Sequence, residues 1–118
     1  MENTFEPSPG LILDAVDAAG EENVGLLFDI AHHHLYGRTP LDEWLACWGN
    51  RIEEVHLTDT RGDWDFHLAP GTGEIDFARF FALRRELGIR PVFTFEPHDL
   101  DAFAETIQFI QAHPEYFT

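Results

Sequence analysis

Four residues that bind divalent cations well recur along this 118-residue chain: Glu2, Asp29, His56 and Glu96. Each stands where apolar or alternating sequence gives way to a loop, in ENTFEP, VGLLFDIAHHH, EEVHLTD and PVFTFEP. Three carboxylates and one imidazole around a dication leave a net charge of about −1. Hard oxygen ligands of this kind suit Mn²⁺ or Mg²⁺, with Zn²⁺, Co²⁺ and Fe²⁺ as alternatives. Taken singly, each residue has a plainer role: a capping Glu2, an Asp29 at a helix entry, a hydrogen-bonded His56, a loop Glu96. Taken together, four strand ends that each deliver one polar residue describe a single metal centre.

A second cluster lies close by in sequence. His32 follows Asp29 by three residues, and Asp65 and His67 are two apart, so on an extended segment they face the same side. One carboxylate with two imidazoles suits zinc; the alternative is that Asp65 and His67 only order the loop before Gly71. His33 and His34 read as loop residues, and His98 either supports Glu96 or opens a helix. Trp64 and Phe66 flank Asp65 and either wall a pocket or simply pack. Cys47 is the only cysteine, which excludes an internal disulfide and a thiolate cluster; within LACW it is expected to be buried and inert.

The elements that must position these residues alternate between strand and helix. Residues 24–30 and 91–96 are nearly continuous apolar runs, as in strands buried on both faces of a parallel sheet, and 53–59 is a shorter, alternating one. Ser8-Pro9 and Thr39-Pro40 read as cap-plus-proline helix openings, with Gly20 and Gly49 as stops. Asp76 opens a helix with Phe77, Phe80, Phe81 and Leu87 on one stripe and Gly88 at its end. A last helix from Asp99 places Leu100, Phe103, Ile107 and Ile110 at helical spacing. Such alternation predicts an α/β fold of parallel β/α units, with the polar residues at the carboxyl ends of barrel strands. A whole eight-stranded barrel takes ~250 residues, so residues 1–118 are expected to form one partial barrel domain. Only Met1 precedes Glu2, which predicts that the chain belongs inside a larger barrel.

Composition narrows the function classes. The chain is 44% hydrophobic and 14% aromatic, enough for a core. Its 22 Asp and Glu against 7 Lys and Arg give a formal charge of −15, which argues against a nucleic-acid partner. No apolar run is long enough to span a membrane, and the first ten residues lack the pattern of a signal peptide. A cytoplasmic location is the expectation.

Glu2-Asn3, Asp29-x-x-His32, His56-Leu-Thr-Asp59, Asp65-x-His67, the stretch HLAPGTGEIDF and Phe95-Glu96 together resemble the C-terminal half of the xylose isomerase-like β/α barrels. That superfamily holds sugar isomerases and epimerases and the endonuclease IV-type AP endonucleases. The resemblance implies a catalytic divalent metal on Glu2, Asp29, His56 and Glu96. In the sugar enzymes Glu2 and Glu96 would also exchange the proton alpha to a carbonyl through an enediolate, and His32 would contact a carbohydrate or sugar phosphate. In the nucleases the positions of His32, Asp65 and His67 hold a further zinc. Arg61 lies one residue out of register with a substrate-binding arginine of the epimerases, so a solvated loop position is its alternative. The expected function is a metal-dependent sugar isomerase or epimerase. The alternatives are a multi-zinc AP endonuclease and a non-catalytic half-barrel. Self-association, or an N-terminal half-barrel partner, is expected in any case, because a short parallel sheet leaves raw edges.

Overall fold

The computed structural model of the protein describes residues 1–5 and 8–118; Glu6 and Pro7 of ENTFEP lie outside the described residues. In chain order the elements are α1 (Gly10–Ala19), β1 (Leu26–Asp29), α2 (Ile30–Tyr36), α3 (Leu41–Trp48), β2 (Ile52–His56), β3 (Asp59–Arg61), β4 (Trp64–Leu68), α4 (Phe77–Glu86), β5 (Val92–Thr94) and α5 (Leu100–Ala112). Strands β1, β2 and β5 form a parallel sheet in that order, and Glu2 adds a further parallel position by bridging to Leu27. The result is the expected partial barrel wall. Beyond the end of β2, β3 and β4 fold into an antiparallel hairpin.

The core lies between the sheet and its helices. Phe28 on β1 is fully buried, stacked on Phe80 of α4 at 6.1 Å and edge-on to Trp48 of α3. Phe77, Phe80 and Phe81 bury the predicted face of α4, with Leu87 packed at its margin. Asp76 caps this helix by accepting from the Arg79 amide, and Asp99 caps α5 by accepting from the Ala102 amide. Gly20, with φ of 64°, takes the left-handed turn that ends α1.

Several expectations are corrected. Helices α1 and α3 begin one residue later than predicted, with Pro9 and Pro40 at the cap position and no side-chain cap there. The apolar run 24–30 is a strand only to Asp29; Ile30 opens α2, because the Asp29 carboxylate caps the His32 amide at 2.8 Å. His33 and His34 are therefore helical. Asp65 and His67 lie on β4, where a loop was the alternative. The stripe on α5 faces outward: Leu100, Phe103 and Ile107 are exposed, while Ala102 and Thr106 are buried. Cys47 is exposed, since α3 buries its Trp44, Leu45 and Trp48 face. Among the described residues no helix is long and apolar enough to cross a membrane.

Candidate functional site

The strand register brings the candidate ligands side by side. Asp29 and His56 are direct partners across β1 and β2, and Thr94 of β5 is the partner of His56 on the other side. Glu2 arrives through the bridge to Leu27. Asn3 locks that join: its buried side chain donates to the Asp29 carbonyl at 2.9 Å and accepts from the Asp29 amide at 2.7 Å. No local pattern marks Asn3 for this role, because its partner lies 26 residues away.

Glu2, Asp29 and His56 each present a ligand atom within 4.8 Å of the others. His56 Nδ1 lies 3.1 Å from Glu96 Oε2, 3.5 Å from Asp29 Oδ2 and 3.8 Å from Glu2 Oε1. Glu96, past the end of β5, thus joins the group through His56. His56 Nδ1 is buried and, among the described residues, has no partner in hydrogen-bond geometry. A bare ring nitrogen facing three carboxylate oxygens at such distances is repelled by all of them. A proton or a cation placed among them turns the repulsion into attraction. By this orphaned nitrogen and by the oxygen-rich donor set, the residues present fit a divalent metal.

Without a metal, the same geometry favours protons. The pKa of His56 is raised, first by Asp29, against the effect of burial and with help from Glu96 and Glu2. Burial is the first cause that raises the Glu2 pKa, followed by the Asp29 charge. For His32, burial alone would lower the pKa, but Asp29, the Asn3 carbonyl, Glu2 and Asp65 outweigh it and the net shift is upward.

The second cluster also assembles. His32 Nε2 and His67 Nε2 approach Asp65 Oδ2 at 3.2 and 3.1 Å, and His67 Nδ1 lies 3.2 Å from the Glu96 carbonyl. Asp65 Oδ1 is buried without a hydrogen-bond partner among the described residues. His67 has φ of 49°, making it the one non-glycine among the described residues in the left-handed region. Trp64 and Phe66 alternate with these residues along β4 and are exposed.

Other residues stand apart. Arg61 is exposed opposite Trp64 in the hairpin, and among the described residues no ion pair or hydrogen bond of its side chain reaches the cluster. His33 lies 2.9 Å from the Thr39 carbonyl and edge-on to Trp44, a packing role. His98 pairs with Asp99 at 2.9 Å. Asp59, the end of the His56-Leu-Thr-Asp59 motif, is fully buried, and its carboxylate accepts from the amides of Thr60, Gly71, Gly73 and Ile75 at 2.8–3.1 Å. It holds the loop 69–75 against the base of the hairpin. A Cβ on Gly73 would collide with the Thr60 carbonyl and this carboxylate, so glycine is required there.

The family model described as xylose isomerase-like TIM barrel matches residues 1–113. The chain belongs to that family. Inosose isomerase of Bacillus velezensis is 32% identical over 103 residues, which cover 80% of this chain and 34% of the relative. A solved D-tagatose 3-epimerase-like protein superimposes with a TM-score of 0.78 at 26% identity, covering 98% of this chain and 46% of that one. A Thermus thermophilus protein soaked with ZnCl2 has a TM-score of 0.69 at 33% identity, over 94% of this chain and 42% of that one. This xylose isomerase-like chain therefore spans about a third of the isomerase and under half of each of these solved chains. Its relatives include sugar isomerases and epimerases.

Proposed function

We propose that the chain carries the metal-binding half of a sugar isomerase or epimerase. The observation that supports this best is His56 Nδ1, buried, unpartnered and faced by Glu2, Asp29 and Glu96. Those four residues would hold the metal, with Mn²⁺ or Mg²⁺ favoured for their oxygen-rich set. A bound divalent ion supplies Lewis acidity at the carbonyl and hydroxyl oxygens of an open-chain sugar.

The proton chemistry falls to the two glutamates. One takes the proton from the carbon alpha to the carbonyl, and the electron pair of the broken C–H bond moves toward the carbonyl oxygen to give an enediolate. The other returns a proton to carbon, and its face or position decides between epimer and isomer. His32, held between Asn3 and Asp65, would orient a substrate hydroxyl.

The remainder of the barrel is expected from another β/α half, which is a second copy of this chain when it is alone in solution. Val92 on the β5 edge and Leu100, Phe103 and Ile107 on α5 are the exposed apolar groups that such a half would cover.

The test is deuterium exchange. The chain, and any longer protein that carries it, is incubated with Mn²⁺ and a panel of ketoses in D2O, and incorporation alpha to the carbonyl is followed by NMR. Metal-dependent incorporation that falls by about 10²–10⁴ in Glu2→Gln and Glu96→Gln supports the reading. Metal binding without exchange in the longer protein overturns it.

A second reading rests on Asp65, whose Oδ2 lies between His32 and His67 while its buried Oδ1 is orphaned among the described residues, a set that suits an additional zinc and so phosphodiester hydrolysis at abasic DNA. The charge of −15 opposes it. Zinc-dependent cleavage of an abasic duplex would reverse the order of the two readings.

A further inference from the structure

We infer that Glu54 is a positioning residue for the metal centre, which sets the tautomer and direction of His56. It rests on the reading of His56 as a metal ligand. Glu54 and His56 are two apart on β2 and so project from the same face of the sheet. Glu54 Oε1 lies 3.6 Å from His56 Nε2, on the side of the ring away from Glu2, Asp29 and Glu96. The Thr94 hydroxyl donates to the same Oε1 at 2.5 Å from the neighbouring strand, where Thr94 is the register partner of His56. The carboxylate is thus fixed beside the ring edge opposite the metal ligands.

The chemistry follows from the two ring nitrogens. A neutral imidazole carries one proton, and the nitrogen that lacks it is the ligand. With a cation among the three acidic side chains that converge on Nδ1, the lone pair faces that cation and the single proton goes to Nε2, where the Glu54 carboxylate stands beside it. At 3.6 Å the contact is electrostatic, short of a hydrogen bond. Closing it to hydrogen-bond length needs only a small rotation of the ring, the adjustment expected when Nδ1 is drawn onto a cation. Outer carboxylates on ligating histidines act in this way, fixing the tautomer and raising ligand basicity. Glu54 is half-buried on β2 between the buried Ile52 and Val55, where a charged side chain gains from such a partner.

The test uses Zn²⁺ alone with the 118-residue chain, by calorimetry and by ¹⁵N–¹H NMR of the imidazoles. The zinc-loaded wild type is expected to show His56 protonated at Nε2, with slow solvent exchange. Glu54→Leu is expected to lose about 10–100-fold in zinc affinity and to lose that protected signal, while Glu54→Gln, which keeps an acceptor, recovers part of both. Unchanged affinity and an unchanged Nε2 signal in folded Glu54→Leu overturn the inference. Where Glu54→Leu fails to fold, Thr94→Val decides: it frees the carboxylate without removing it, so a smaller loss in the same direction supports the role and no change overturns it. A wild type that binds no zinc at His56 overturns the metal reading itself, a result distinct from loss of the Glu54 role alone.

Discussion

His32 Nδ1 stands 3.1 Å from Glu2 Oε1, and this contact joins the two clusters into one charge-coupled unit. The ring also meets the Asn3 carbonyl at 3.0 Å on Nδ1 and Asp65 at 3.2 Å on Nε2, so acceptors face both nitrogens. In the metal-free chain that arrangement calls for the doubly protonated imidazolium. A cation entering at Glu2 and Asp29 competes with that proton.

The first prediction concerns pH. Glu2, His32 and His56 have raised pKa values in the folded chain, so the stability they add is complete below the unfolded values and is lost as pH rises through the folded ones. The metal-free melting temperature should therefore decline as pH climbs above the imidazole value of 6.5. His33 has the opposite sign: burial lowers its pKa, so its contribution is present above 6.5 and fades as pH falls through the lowered value. Saturating Mn²⁺ should reverse the decline, because its ligands must be deprotonated. Thermal melts across this range, with and without Mn²⁺, check the prediction; a metal-free melting temperature that rises above 6.5 contradicts it.

Asp29 serves two ends with two oxygens. Oδ1 caps α2 and Oδ2 faces His56. Asp29→Asn should keep the cap and near-wild-type stability while losing most of the metal affinity. Asp29→Ala should lose the affinity and about 1 kcal/mol of stability as well. Calorimetric metal titration beside denaturant unfolding separates the two effects.

The Asp59 loop anchor should be sensitive to small changes. Gly73→Ala is expected to cost about 1–3 kcal/mol by overpacking. Asp59→Ala, which leaves four amides without their acceptor, should cost about 3 kcal/mol or more. Both are read from urea unfolding midpoints. Equal stability of Gly73→Ala and wild type would mean that the loop yields freely.

Much of this was legible in the sequence, for definite reasons. The order Glu2, Asp29, His56, Glu96 marks strand ends because side chains there are polar against apolar runs, and Asp76 and Asp99 mark helix starts by local hydrogen bonding. What stayed hidden depends on distant or competing interactions. Ile30 and Ala31 of α2 continue the apolar residues of β1, and the Asp29 cap is what separates the two elements. Asn3 acts through a partner on another strand. The stripe of α5 obeys helical periodicity yet faces away from the core, since periodicity reports an apolar face and not what covers it.

That outward stripe gives the last measurement. Alone in solution, the chain should exceed its 13.5 kDa monomer mass by light scattering. The double substitution Leu100→Gln and Phe103→Gln should return it to the monomer with unchanged helicity. A well-folded wild-type monomer would count against a second half at this face.

The left-handed backbone at His67 sets stability and chemistry at odds. A Cβ is disfavoured there by about 1–2 kcal/mol relative to glycine, yet the imidazole is what meets Asp65. Selection for a sturdier fold alone would replace this histidine with glycine. Its presence marks a spot where the molecule has given up stability to keep an imidazole beside Asp65, so stabilised variants drawn from random libraries should lose His67 early and its contact with Asp65 along with it.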